Sequence, residues 1–293
     1  MKVVLDTGVY ENLHFSEYLM IDAVNFSSLK HIDISPLKYQ YEKDNTQEDK
    51  SFYQLGRAVH TAVLEPETLN NEVIVYDLTK TKRGAKWDAF KELHAGKNIL
   101  TVSEYDQMEK MTKGVKRYSS ANFTLKKGKS EVTMIWMDPI LERLCKCRID
   151  WLGEKFFTDL KTTASDTVHK FNNDFAKYKY HAQMAFYQRG IYQTTGELLP
   201  CNLIVSQKNA PFDCFIANVG DEVIRQGNIV VEKMLNSLKN CYGSKRFCGL
   251  GDKLHEVALP NWAIADSIDI EEFDIEGLGD DFENKVRSGL NAK

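Results

Sequence analysis

Apolar residues along this chain follow two periods, and each period predicts its own kind of element. Alternation with a period of two marks strands at 72–79, Glu131–Trp136, Pro200–Ser206 and Phe212–Val219, and at two runs flanking a Gly-containing turn between Lys146 and Thr163. A period near 3.6 marks helices over Tyr53–Leu64, Ser103–Tyr118, Lys177–Thr195 and Glu222–Leu238. Hydroxyls ahead of an apolar residue at Asn25–Lys30, and Ser35-Pro36, predict two further helix starts, and Glu65-Pro66 closes the 53–64 helix. Thr81–Leu93 reads as a basic loop leading into a helix, and a helix cap is expected near Ser165 or Asp166. Residues 1–24 carry little pattern, a short strand and a loop, and the periodicity fades beyond Lys245. The expectation is an α/β fold: a mixed central sheet built from the strands near 131, 145, 157 and 203, flanked by the helices bearing His60 and Gln183. One domain spans 1–250, and 251–293 is an acidic, peripheral extension.

The 146–163 hairpin concentrates the chemistry. Strand side chains alternate faces, so Asp159 and Lys161 project together while Leu160 turns to the core. Asp150 joins them if the pairing register brings it there, which gives two carboxylates and a lysine in a small volume, suited to a hard divalent cation. The plain alternative is a surface strand with an intrastrand ion pair. On the 177–195 helix, Tyr180, Gln183, Met184 and Tyr187 form one stripe, mostly core, in which the Gln183 amide needs a partner. Basic residues interleaved with an aromatic at Arg83, Lys86 and Trp87 suit a nucleic-acid strand, or equally a solvated helix face.

Charge narrows the ways a polyanion could be held. Of 38 bases and 42 acids, 3 and 9 fall after Pro260, leaving 35 and 33 before it, a body of +2 with a tail of −6. Any nucleic-acid site therefore depends on local clustering and metal ions. Six cysteines without CxxC spacing read as reduced structural thiols, and the absence of a long apolar run implies a soluble, cytoplasmic protein with no membrane contact.

Asp150 with Asp159-Leu160-Lys161, Gly56-Arg57-Ala58-Val59-His60 with Glu65 upstream, and Gln183 with Tyr187 downstream occur in an order that resembles the PD-(D/E)XK nuclease superfamily. The likeness is to its RecB-type branch, and most to the exonuclease VIII (RecE-type) nuclease domain, over roughly residues 25 to 240. The resemblance implies Mg²⁺, with Mn²⁺ as a substitute, one or two ions held by His60, Asp150, Asp159 and the Leu160 carbonyl. It gives Lys161 a role as base or charge stabiliser and makes Glu131 a support for the metal or its water shell. Gln183 and Tyr187 would lie beside the scissile strand. Lys30 and Lys38 become candidates for phosphate contact, joining Arg83, Lys86, Trp87 and Arg148 as DNA-binding residues; plain helix capping competes at the first two. Asp138-Pro139 inverts the family's Pro-Asp pair and is set aside. No cysteine precedes 145, which argues against the iron–sulfur subtype. The activity implied is 5′-to-3′ resection of double-stranded DNA ends for an annealing protein in phage-type recombination, by a homo-oligomeric ring, a tetramer by the RecE likeness. A structure-specific or restriction-type endonuclease, a helicase-associated nuclease subunit and a non-catalytic DNA-end-binding module are the rivals.

Overall fold

The computed structural model describes residues 5–45, 51–252 and 254–259. In chain order its elements are β1 (Gly8–Tyr10), α1 (Phe15–Met20), α2 (Phe26–Leu29), α3 (Pro36–Asp44), α4 (Ser51–Leu64), α5 (Leu69–Glu72), β2 (Val73–Tyr76), α6 (Ala85–Leu93), β3 (Asn98–Thr101), α7 (Val102–Lys116) and α8 (Ser119–Thr124). There follow β4 (Gly128–Asp138), β5 (Arg143–Gly153), β6 (Phe157–Thr163), α9 (Val168–Lys177), α10 (Tyr180–Thr195), β7 (Cys201–Gln207), β8 (Cys214–Val219) and α11 (Asp221–Ser244). Leu254–Leu259 is exposed and without regular structure. Residues 46–50, in the polar stretch Asp44–Lys50, and the acidic stretch after Pro260 lie outside the described residues.

Six strands form one sheet in the order β1-β4-β5-β6-β7-β8. Only β6 and β7 run parallel; the other neighbours are antiparallel. The four strands near 131, 145, 157 and 203 occupy its centre, as the alternation predicts. A parallel pair cannot be closed by a hairpin, so the chain crosses over through α9 and α10 between β6 and β7. That crossover lays α10 along β4 and β5. Glycines allow the close approach: a Cβ on Gly190 would stand 2.7 Å from the Trp136 ring, and one on Gly227 of α11 2.3 Å from the His181 carbonyl oxygen.

The buried apolar residues fall into separate clusters. Met134, Trp136, Phe157, Met184, Phe186 and Leu235 belong to the one that packs α10 and α11 on the sheet. Val59, Val63, Met108, Met111, Leu160 and Ile204 belong to a second, under α4 and α7. Tyr18 and Ile21 meet Ile135 in a small third cluster.

Several elements differ from the sequence expectation. Residues 1–24 contain a helix, α1, started by the His14 side chain accepting from the Ser16 N–H. Four-residue β3 pairs parallel with β2 in a second sheet, and α8 follows α7. The helix expected from 177 begins at Tyr180, because Lys179 takes a left-handed conformation that breaks it from α9; the cap of α9 is Thr167. All six cysteines are free, five of them buried. Among the described residues no helix is long and apolar enough to cross a membrane.

Candidate active site

Register explains how the acids meet. Ser130 pairs with Trp151 and Val132 with Ile149, so Glu131 on β4 faces Asp150 on β5. On the other side of β5, Trp151 pairs with Thr158 and Leu152 with Phe157, and pairing stops there. One step further, Asp159 faces Asp150 where β5 and β6 part. Glu131, Asp150 and Asp159 thus form a row across three adjacent strands.

The parting of the strands leaves the Leu160 N–H without a β5 carbonyl, and the Asp150 carboxylate accepts it at 2.7 Å. A buried peptide N–H has to be satisfied, so the sheet opens only because a side chain replaces the missing strand bond. At the same level Glu131 leaves the extended conformation, with φ of 52°. A non-glycine residue in that region costs about 1–3 kcal/mol and persists only where its surroundings over-determine it.

Helix α4 brings His60 to this opening. Its Nδ1 is 3.5 Å from Asp150 Oδ2. Gly56, one turn earlier, places α4 against Thr162 of β6, where a Cβ would stand 3.4 Å from the Thr162 hydroxyl. His60, Glu131 and Asp150 each offer a ligand atom, and these atoms lie within 4.8 Å of one another. Of the expected set His60, Asp150, Asp159 and Leu160, the first two lie in this group of side-chain ligand atoms together with Glu131, and Asp159 stands beside it.

Asp159 serves Lys161. The Lys161 ammonium is 2.6 Å from Asp159 Oδ2, which is buried and has no other aligned partner among the described residues. Lys161 Nζ also donates to Gln183 Oε1 at 2.9 Å, and Gln183 Nε2 donates to the Tyr187 hydroxyl at 2.9 Å. Its Nζ lies 4.5 Å from the centre of the Tyr180 ring. Tyr180 reads in the sequence as one of a core stripe; the available signal is its place one turn ahead of Gln183.

Electrostatics separates the acids from the lysine. Burial raises the Asp150 pKa, and the neighbouring Asp159 raises it further, against the lowering effect of Lys161 and the Leu160 N–H. Burial and then Asp150 raise Glu131, opposed by Arg148. His60 is lowered, mainly by burial. Burial pulls Lys161 down, but Asp159, Tyr180 and Asp150 outweigh it, so its pKa ends above the ordinary value and it stays an ammonium. Crowded carboxylates with raised pKa beside a neutral imidazole are a donor set that fits a divalent cation.

The nucleic-acid candidates divide. Lys30 is partly buried and near Lys161, whose charge adds to burial in lowering its pKa. Arg83 and Lys86 are exposed. Trp87 is partly buried, its ring packed edge-on against buried Tyr76, 5.2 Å between centroids. Lys38 pairs with Glu42 at 2.6 Å. Arg148 Nε donates to Glu131 and its guanidinium to the Leu13 carbonyl at 3.1 Å, so its donors are engaged by the protein's own groups.

Residues 25–254 match the model of a family described as a PDDEXK-like domain of unknown function (DUF3799). Among solved structures, the chain is similar to a crystal structure described as a putative exonuclease from Eubacterium rectale. The two share 17 % identity with a TM-score of 0.58, over 85 % of this chain and 96 % of that one. No match is found among curated proteins.

Proposed function

The chain belongs to the PDDEXK-like family, and from that premise we propose that it is a metal-dependent nuclease acting on DNA ends. The observation that carries the reading is the juxtaposition of the His60, Glu131 and Asp150 ligand atoms with a lysine ammonium held between Asp159 and Gln183. His60, Glu131 and Asp150 would hold the ion. When bound, a divalent cation supplies Lewis-acid polarisation of a phosphoryl oxygen and lowers the pKa of water. Asp150, with its raised pKa, would release a proton on taking up that role. Lys161 remains charged, so it stabilises negative charge building on the phosphate rather than removing a proton. Gln183 aims the ammonium, and Tyr187 fixes the amide in turn.

The finer reading is Mg²⁺-dependent 5′-to-3′ resection by a ring-shaped homo-oligomer that hands single strands to an annealing protein. Its support is the RecE-like order of motifs and the near-neutral body: a charge of +2 holds a polyanion poorly, and a closed ring would retain it by topology. The test uses linear duplex labelled at the 5′ or 3′ end beside a closed circle, with Mg²⁺ and with EDTA. Degradation of the linear substrate alone, abolished by EDTA and starting at the 5′ end, is the expected result. Cutting of the circle favours the endonuclease reading, and no cleavage of either defeats the proposal. Light scattering should report a mass several times that of one chain.

A further inference from the structure

We infer that Arg148 is a positioning residue for the Glu131 carboxylate, and that the N-terminal segment Leu13–Ile21, ahead of the family-matched span, holds it in place. The inference rests on reading His60, Glu131 and Asp150 as the cation site.

Two cations two residues apart on β5 meet this segment. Lys146, buried, donates to the main-chain oxygens of Tyr18 and Ile21 at 2.6 and 2.8 Å, with its Nζ 4.5 Å from the Tyr18 ring centre. Arg148 donates one way to Glu131 and the other way to the Leu13 carbonyl, with both side chains of the Arg148–Glu131 pair mostly buried. Phe15 lies between the two arms of the site. Its ring centre is 5.4 Å from the guanidinium of Arg148, two residues before Asp150, and 5.6 Å from that of Arg57, one turn before His60. Phe15 is 38 % exposed, and its ring also stacks on Tyr18, 6.1 Å between centroids, which ties it to the same N-terminal segment.

Glu131 is the residue that needs such a device. Its left-handed backbone, facing Asp150, brings a third carboxylate-bearing position into a crowded site. A fixed guanidinium offers a directed donor that selects one carboxylate orientation, which a mobile point charge does not. A positioning role and a purely electrostatic role have opposite consequences. Removing a nearby positive charge would by itself tighten cation binding, whereas losing the orientation of Glu131 would weaken it.

The experiment measures Mn²⁺ binding to the full chain without DNA, by electron paramagnetic resonance and calorimetry, together with thermal melting and metal-free crystal structures. Arg148→Met is expected to weaken Mn²⁺ binding by about tenfold or more; Arg148→Lys should recover part of it, and Phe15→Ala should lose less than Arg148→Met at near-wild-type melting. In metal-free Arg148→Met, Glu131 should leave its left-handed conformation. Unchanged or tighter Mn²⁺ binding in Arg148→Met, or a Glu131 that keeps its place, overturns the inference. If Arg148→Met does not fold, the same comparisons on Arg148→Lys and Phe15→Ala decide it. A wild type that takes up no Mn²⁺ defeats the cation reading, while the crystal structures still decide whether Arg148 positions Glu131. Both readouts, metal affinity and the Glu131 backbone, are independent of DNA cleavage.

Discussion

The β4–β5 ladder buries a carboxylate near each end, and the two ends treat it in opposite ways. At one end Asp138 is fully buried and surrounded by donors: Arg189 Nε at 2.6 Å, the Ile140 and Leu141 N–H groups at 2.9 and 3.1 Å, and the Trp136 indole at 3.2 Å. Burial pushes its pKa up, but Arg189, the Leu141 N–H and Trp136 outweigh burial, and the net shift is downward. At the other end, roughly 23 Å along the strand, Asp150 accepts the Leu160 N–H, lies by His60 and faces further acids, and its pKa rises. A saturated carboxylate locks a turn. An under-compensated one carries a standing cost to stability.

The largest expected effect sharpens that contrast by activity. Asp159→Asn or Lys161→Ala should lower DNA cleavage per folded molecule by at least about a hundredfold, measured on end-labelled duplex at saturating Mg²⁺, and since each leaves a mostly buried partner unpaired, melting should fall as well; full activity in either would remove these residues from the site. Asp138→Ala should lose stability alone. It strands Arg189, which is mostly buried, so chemical denaturation should show a loss of about 3–5 kcal/mol, while cleavage per folded molecule stays near wild type.

The pH dependence of metal-free protein comes next. Asp150 has a folded pKa raised from 3.8 to about 8, so the folded state binds its proton more tightly, and the stability it contributes is present at low pH and lost as pH rises through that window. Asp150→Asn should therefore melt above wild type at pH 8, with the difference closing towards pH 4, and added Mn²⁺ should raise the wild type alone. For Asp138 the sign is opposite: its folded pKa is depressed, and its contribution is lost as pH falls below the carboxylate range. A difference of the opposite sign, with wild type melting above Asp150→Asn at pH 8 and the gap closing as pH falls, would show that Asp150 is compensated like Asp138. The smallest effect is at His60. His60→Ala should weaken Mn²⁺ binding by about tenfold with little change in stability, and a loss of stability at unchanged affinity would make it a packing histidine.

Strand alternation was enough to place β4 to β8, because the period of two is a local property of a half-buried pleat. The same logic put Asp159 and Lys161 on one side, and the helical period carried Gln183 and Tyr187 to one face. Nothing in residues 13–21 marks them for the site. Their bonds to Arg148 and Lys146 run over more than a hundred residues, largely through main-chain oxygens that every residue possesses. Arg148 illustrates the limit most clearly: a basic residue two before an acid is compatible with DNA or with a carboxylate across the sheet, and only the strand register reveals that Glu131 lies within its reach.

The sequence by itself determined which residues could do chemistry and on which elements they ride, since periodicity and residue type are written locally. Tertiary structure alone decided which acid groups with His60 and Asp150 and which pairs with the lysine. That choice depends on where β5 and β6 cease to pair and on the left-handed turn at Glu131, features of three strands packed together and of no single stretch of chain.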